Sequence, residues 1–172
     1  MTYIFSHTPE DAIEMFWLHM DQAQKGGPNA DPSLRRALIA LVDLHTHQAQ
    51  MRSVNREVIQ RFQQESLDAL MNFPAEIESY SDIALFLAEG ANDDEWYELC
   101  MRRSVIQILL DEYAGTPLAA LIDPSDVADL DLELRRVGIE QGPIPDPFVP
   151  DNLPNSHWWW HYPPTADDSG SV

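Results

Sequence analysis

Between Ala12 and Val137 apolar residues recur mostly at helical spacing, and the breaks between runs carry glycine or proline placed as helix punctuation. Thr8-Pro9-Glu10-Asp11 predicts a helix start: a hydroxyl cap, proline at the first helical position, then acids facing the positive end of the dipole. Ile13, Phe16, Trp17 and Met20 follow on one face, and Lys25-Gly26-Gly27 predicts the stop. Asp31-Pro32 predicts a second start. No glycine or proline interrupts Ser33 to Phe73, so about 40 residues could form one helix of ~60 Å. Apolar positions thin out between His45 and Glu57, which favours two helices or one bent helix, with the break near Arg52-Ser53-Val54-Asn55.

Further along, Ser81-Asp82 predicts the cap of a short helix through Leu87, closed by Gly90. Asn92-Asp93-Asp94-Glu95 has the reciprocal capping arrangement, and its helix is expected to run to Ala114 before Gly115. Val105 to Leu110 is apolar around most of its circumference, which places this helix at the centre of the bundle. Short helices are expected over Pro117 to Ile122 and from Asp123-Pro124 to about Arg136. Seven of the thirteen prolines and no basic residue lie beyond Gly138, and helical periodicity ends there. The expected architecture is all-α: an irregular bundle of five to seven helices over residues 1–138, with an extended Pro/Trp-rich tail, 139–164, wrapped over it. Residues 165–172 are expected to be disordered.

The tail's Ser156-His157-Trp158-Trp159-Trp160-His161-Tyr162-Pro163-Pro164 cannot stand bare. Three uncovered tryptophans would expose about 450–750 Å², more than a soluble monomer tolerates in one patch. Prolines on both sides disfavour helix, so an extended segment is expected, with Trp158, Trp160 and Tyr162 on one face and His157, Trp159 and His161 on the other. Trp158, Trp159 and Trp160 then either cap the domain's own core or anchor a partner, and the two uses are compatible.

Charge changes the picture most. With 29 acidic and 10 basic residues the chain carries a net −19. Acid is spread over every segment except 32–73, which is close to neutral. Such a field repels nucleic acid and anionic membranes and speeds encounter with cationic partners. Glu89, Asp93, Asp94, Glu95 and Glu98 form the densest acidic cluster. Asp93 to Glu95 also fit the helix dipole, whereas Glu89 and Glu98 do not. The spared stretch offers an alternative polar face at His47, Arg52, Asn55 and Arg56.

Reactive chemistry is not legible. There is no glycine-rich phosphate loop, no Gly-x-Ser-x-Gly and no His-Glu-x-x-His. The single cysteine, Cys100, lies in an apolar helix and reads as a buried, inert thiol. His45 and His47 are two apart on a helix and point in different directions, and His157 and His161 on an extended chain would be ~13 Å apart. Asp129-x-Asp131-x-Glu133 with Glu140 lacks the glycine a calcium loop requires, since Leu134 stands there. No metal and no cofactor is therefore expected. Met1 to His7 lacks a secretion signal and no apolar run is long enough to span a membrane, so a cytoplasmic location is expected.

These features point to a non-enzymatic protein-binding protein. Its general character is that of an immunity- or antitoxin-type inhibitor neutralising a more basic partner, such as a toxin, through electrostatic steering and aromatic anchoring. A helical enzyme or metal protein using His45, His47, His157 and His161 is the rival from another class. An adaptor or subunit of a larger assembly is a third reading.

Overall fold

A computed structural model describes residues 5–47, 56–90 and 93–163. Among these residues the secondary structure is helical throughout: six α-helices, three short 3-10 turns and no strand. Helix α1 (Pro9–Gln24) opens with the Thr8 hydroxyl accepting the Asp11 N–H at 3.1 Å. Gly26 and Gly27, both at positive φ, turn the chain into α2 (Ala30–Thr46), and the two helices pack along each other as a hairpin. Helix α2 starts one residue before the expected Asp31-Pro32 cap and is buried on nearly every side from Ala37 to Leu44. It therefore shares the centre of the bundle with α5 (Asp93–Glu112).

The long glycine-free segment contributes α2 and then α3 (Arg56–Leu70); the break expected near Arg52 to Asn55 lies outside the described residues. Phe62 of α3 meets the rings of Phe16 and Trp17 edge-on, and Ser66 Oγ lies 2.8 Å from the Tyr113 hydroxyl just past α5. Helix α4 spans Pro74–Glu89, so it begins seven residues before the expected Ser81-Asp82 cap. Proline at the first position and Glu76 in the first turn start it, while Ser81 is fully buried within it. Helix α5 stops at Glu112, ahead of Gly115 at φ +76°. Helix α6 (Pro124–Gln141) is capped by the Asp123 carboxylate, which accepts the Ser125 N–H at 2.8 Å.

Helix α6 continues five residues beyond Arg136, straight through Gly138, and packing supplies the reason. A Cβ at position 138 would sit 2.8 Å from Tyr162 Cδ1 and 3.2 Å from Trp96 Cζ2. The glycine is thus a landing place for the returning tail rather than a helix stop. Gly142 at φ +82° ends the helix, and its carbonyl accepts the Trp96 indole N–H at 3.1 Å. The tail then crosses the bundle with Ile144 buried and closes on α5 and α6 through the 3-10 turn Trp158–His161.

That turn departs from the expected extended alternation. The Trp160 N–H donates to the His157 carbonyl at 3.3 Å, and Trp159 and Trp160, neighbours in sequence, are both fully buried. An extended strand would send them to opposite faces. Each buried indole removes about 200 Å² from water, an upper bound of ~5 kcal/mol, and that outweighs the backbone preference of the flanking prolines. No helix of the described residues is long and apolar enough to cross a membrane. Residues 165–172, expected to be disordered, lie outside the described set.

Candidate functional site

Three features of the molecule concentrate chemistry. The first is the point where the tail meets α5. Ser104, fully buried, accepts the Trp159 indole N–H at 3.1 Å and the Trp160 indole N–H at 2.8 Å, and its Oγ lies 3.1 Å from His157 Nδ1. A serine hydroxyl has two lone pairs and one proton, so two indoles fill the lone pairs and the proton goes to His157. Nδ1 of His157 is therefore the acceptor and the ring is neutral. Burial, then the neighbouring His45 and Arg103, push its pKa down to about 4. The Arg103 guanidinium lies over the Trp159 ring at 4.4 Å and pairs with Asp131 through Nε at 2.7 Å. The Cys100 thiol, buried and raised well above its ordinary pKa, points at the Trp159 carbonyl.

Around this point the structure brings two of the four candidate histidines together. His45 of α2 stacks parallel to His157 with ring centroids 6.0 Å apart, and its Nδ1 lies 3.6 Å from Glu112. Burial lowers the His45 pKa despite Glu112 and Asp111. His47 faces away, 3.4 Å from the fully buried Asp43, and His161 is exposed. Asp43 holds the start of the described chain by accepting the Ser6 N–H and, at 2.7 Å, the Ser6 hydroxyl. His47 also lines a groove of about 370 Å³ between this segment and the tail. Among the described residues no group of three His, Cys, Asp or Glu side chains is placed to hold a metal ion.

The second feature is an acidic face where α4 and α6 lie side by side. Asp82 and Asp126 are within hydrogen-bonding reach of each other, and burial, then Asp82 and Asp123, raise the Asp126 pKa. Farther along, Arg136 reaches across to donate to the Ala88 carbonyl at 3.1 Å, satisfying the carboxyl end of α4. Along the chain Phe86 lies between Asp82 and Ala88 and Leu132 between Asp126 and Arg136, and the two are 74% and 65% exposed. Asp129, on α6, adds to the field at Asp126. No signal in the sequence alone assembles this face, because it depends on α4 starting at Pro74 and on its pairing with α6.

The acidic cluster expected from the sequence lies at the end of α4 and along the first turns of α5. Glu89 is exposed at the end of α4; Asp93 and Asp94 stand in the first turn of α5, their side chains outside the described set; Glu95 is half-buried. Glu98 is ion-paired with Arg102 at 2.9 Å and Arg35 at 3.4 Å. Of the alternative polar face, His47 is buried, Arg56 is exposed, and Arg52 and Asn55 lie outside the described residues. Trp158 is half-buried beneath the Arg135 guanidinium, 4.1 Å from its ring, while Trp159 and Trp160 belong to the core. Three of the four acids that echo a calcium loop are spent on arginines: Asp131 on Arg103, Glu133 and Glu140 on Arg136.

The third feature is a cavity of mixed charge between α2, α4 and α5, lined by Arg35, Arg36 and Arg102 and by Asp31 and Glu76. Comparison with known proteins places the chain in no family: no family model, no curated protein and no solved structure matches it significantly.

Proposed function

We propose that this chain is a binding protein for a basic protein partner, engaged on the α4/α6 face. The observation that carries the reading is the juxtaposition of Asp82 and Asp126 on two packed helices that also expose Phe86 and Leu132. Like charges held together cost stability in the isolated chain, and large apolar side chains gain nothing in water. A cationic partner relieves the first cost and covers the second. The net charge of −19 steers such a partner from a distance, and Phe86 is the anchor once water is expelled. Neutralisation of a basic toxin-like protein, in the manner of an immunity protein or antitoxin, is the form of this reading that charge and helical build support. Trp159 and Trp160 serve it indirectly, by locking the tail and α6 in place.

The test compares two charge-matched variants. D82K/D129K reverses two acids of the face; E14K/E65K reverses two exposed acids on α1 and α3. The same basic proteins are expected to be captured by wild type and E14K/E65K and lost by D82K/D129K. They are also expected to be released near 1 M salt, where the screening length is about 3 Å. Capture indifferent to both D82K/D129K and salt would remove the reading.

A further inference from the structure

Helix α6 has an outward face that the described bundle leaves uncovered. Its inward face is Val127, Leu130, Leu134, Val137 and Gly138, all buried. On the outside Ala128, Leu132, Arg135 and Ile139 are exposed, and their spacing of four, three and four residues is that of a heptad seam. Leu132 and Ile139, one heptad apart, are 65% and 66% exposed, against 43–47% for Leu18, Val58 and Ile83. Arg135 stands in the same line but is drawn aside, its guanidinium lying over the Trp158 and Tyr162 rings at 4.1 and 5.6 Å. From Ala128 to Ile139 the seam is about 16 Å long.

The next line around the helix is acidic. Asp129, Glu133, Arg136 and Glu140 repeat the same spacing one residue on, three acids to one base. Arg136 is taken up by Glu133 and Glu140, and Asp129 pairs with no cation among the described residues. Because Arg136 also reaches the Ala88 carbonyl, this line lies on the side toward α4. An apolar seam bordered by net negative charge is the complement of an amphipathic helix with lysine or arginine beside its own seam. A helix laid along α6 meets the seam once per turn, whereas an extended chain, at ~3.3 Å per residue, falls out of register. A second copy of this chain, also at −19, would set like charge against like. We propose that the element of the partner that docks here is a basic amphipathic helix. It lies along α6 with its apolar residues on Leu132 and Ile139 and its cations against Asp129 and Glu133. The inference rests on the reading that a basic protein binds this face, and adds which part of that protein is recognised.

The probe is a synthetic peptide of about 18 residues with leucine at the a and d positions and lysine and alanine elsewhere, long enough to become helical on contact. Its comparator has the same residues reordered so that the leucines no longer share a face. Both are titrated calorimetrically into the full chain. The amphipathic peptide is expected to bind at least about tenfold tighter than the reordered one, and to gain helix by circular dichroism. I139E adds a negative charge, so attraction alone would strengthen binding. Loss of the anchor is instead expected to weaken it about tenfold, with an unchanged melting curve because the position is exposed. F148E adds the same charge at an exposed ring outside α6 and is expected not to weaken it. Equal binding of the two peptides, no gain of helix, I139E binding as tightly as wild type, or F148E weakening binding as much as I139E would overturn the proposal. Capture of basic proteins by D82K/D129K judges the underlying reading separately. Capture lost from that variant while the two peptides bind alike would leave the reading standing and this inference refuted.

Discussion

Replacing Ser104 with alanine removes one hydroxyl and leaves three buried groups without their partner. Among the described residues the two indole N–H groups of Trp159 and Trp160 have no other acceptor at hydrogen-bond distance, and their rings are fully buried. A buried donor left unsatisfied costs about 1–3 kcal/mol, so the two together cost ~2–6 kcal/mol. His157 Nδ1 also loses its partner in either tautomer, which adds to this cost. An expected destabilisation of about 4 kcal/mol is a large share of the 5–15 kcal/mol typical of a domain. Urea unfolding followed by tryptophan emission measures the loss, with S66A as a reference for breaking the single Ser66–Tyr113 bond, expected near 1 kcal/mol. Hydrogen exchange at the indole N–H groups gives a second readout: slow in wild type, fast in S104A. If S104A unfolds within 1 kcal/mol of wild type and keeps slow indole exchange, the hydroxyl is incidental and apolar burial alone holds the tail.

Other outcomes follow from the same structure. The His157 pKa is depressed in the folded state to about 4, below its unfolded value of 6.5, so the unfolded chain binds the proton first. Stability is therefore undiminished above about pH 6.5 and falls as pH drops toward 4, by ~3 kcal/mol from this ring; urea midpoints from pH 7.5 to 4.5 should fall less in H157Q than in wild type. G138A gains helix propensity of ~1 kcal/mol but drives a Cβ to 2.8 Å from Tyr162, and a net loss of about 1–2 kcal/mol is expected by thermal melting. F86S changes an exposed side chain, so the melting curve should stay within ~0.5 kcal/mol of wild type while affinity for a captured basic partner drops at least about tenfold.

What could be read from the sequence was whatever local chemistry decides. Thr8-Pro9 and Asp123-Pro124 announce helix starts because a side-chain cap and a proline at the first position are enough to do so. The start of α4 was not legible in the same way: Phe73 supplies no side-chain cap, and Ser81-Asp82 imitates one inside the helix. Gly138 misleads for a tertiary reason, since it makes room for Tyr162, 24 residues on. The need to cover the tryptophans was readable from their area alone. How they are covered was not, because it depends on Ser104, a lone serine among buried residues more than 50 positions away. Arg135 and Arg136 are neighbours in sequence with nothing local to announce their separate roles, and in the fold one stacks on Trp158 and the other caps α4. The Asp82–Asp126 face is likewise a product of helix pairing.

The claim that matters most is that α4 and α6 hold Asp82 against Asp126 for a partner's sake, at a cost to the isolated protein. D82N tests both halves in one molecule, because Asp82 lies in mid-helix, where its charge serves no cap. Unfolding free energy at pH 7 is expected to rise by a few tenths of a kcal/mol, as for relief of an exposed like-charge pair, while affinity for the basic partner falls several-fold. A D82N chain that is less stable than wild type, or one that binds that partner as tightly, would contradict the account.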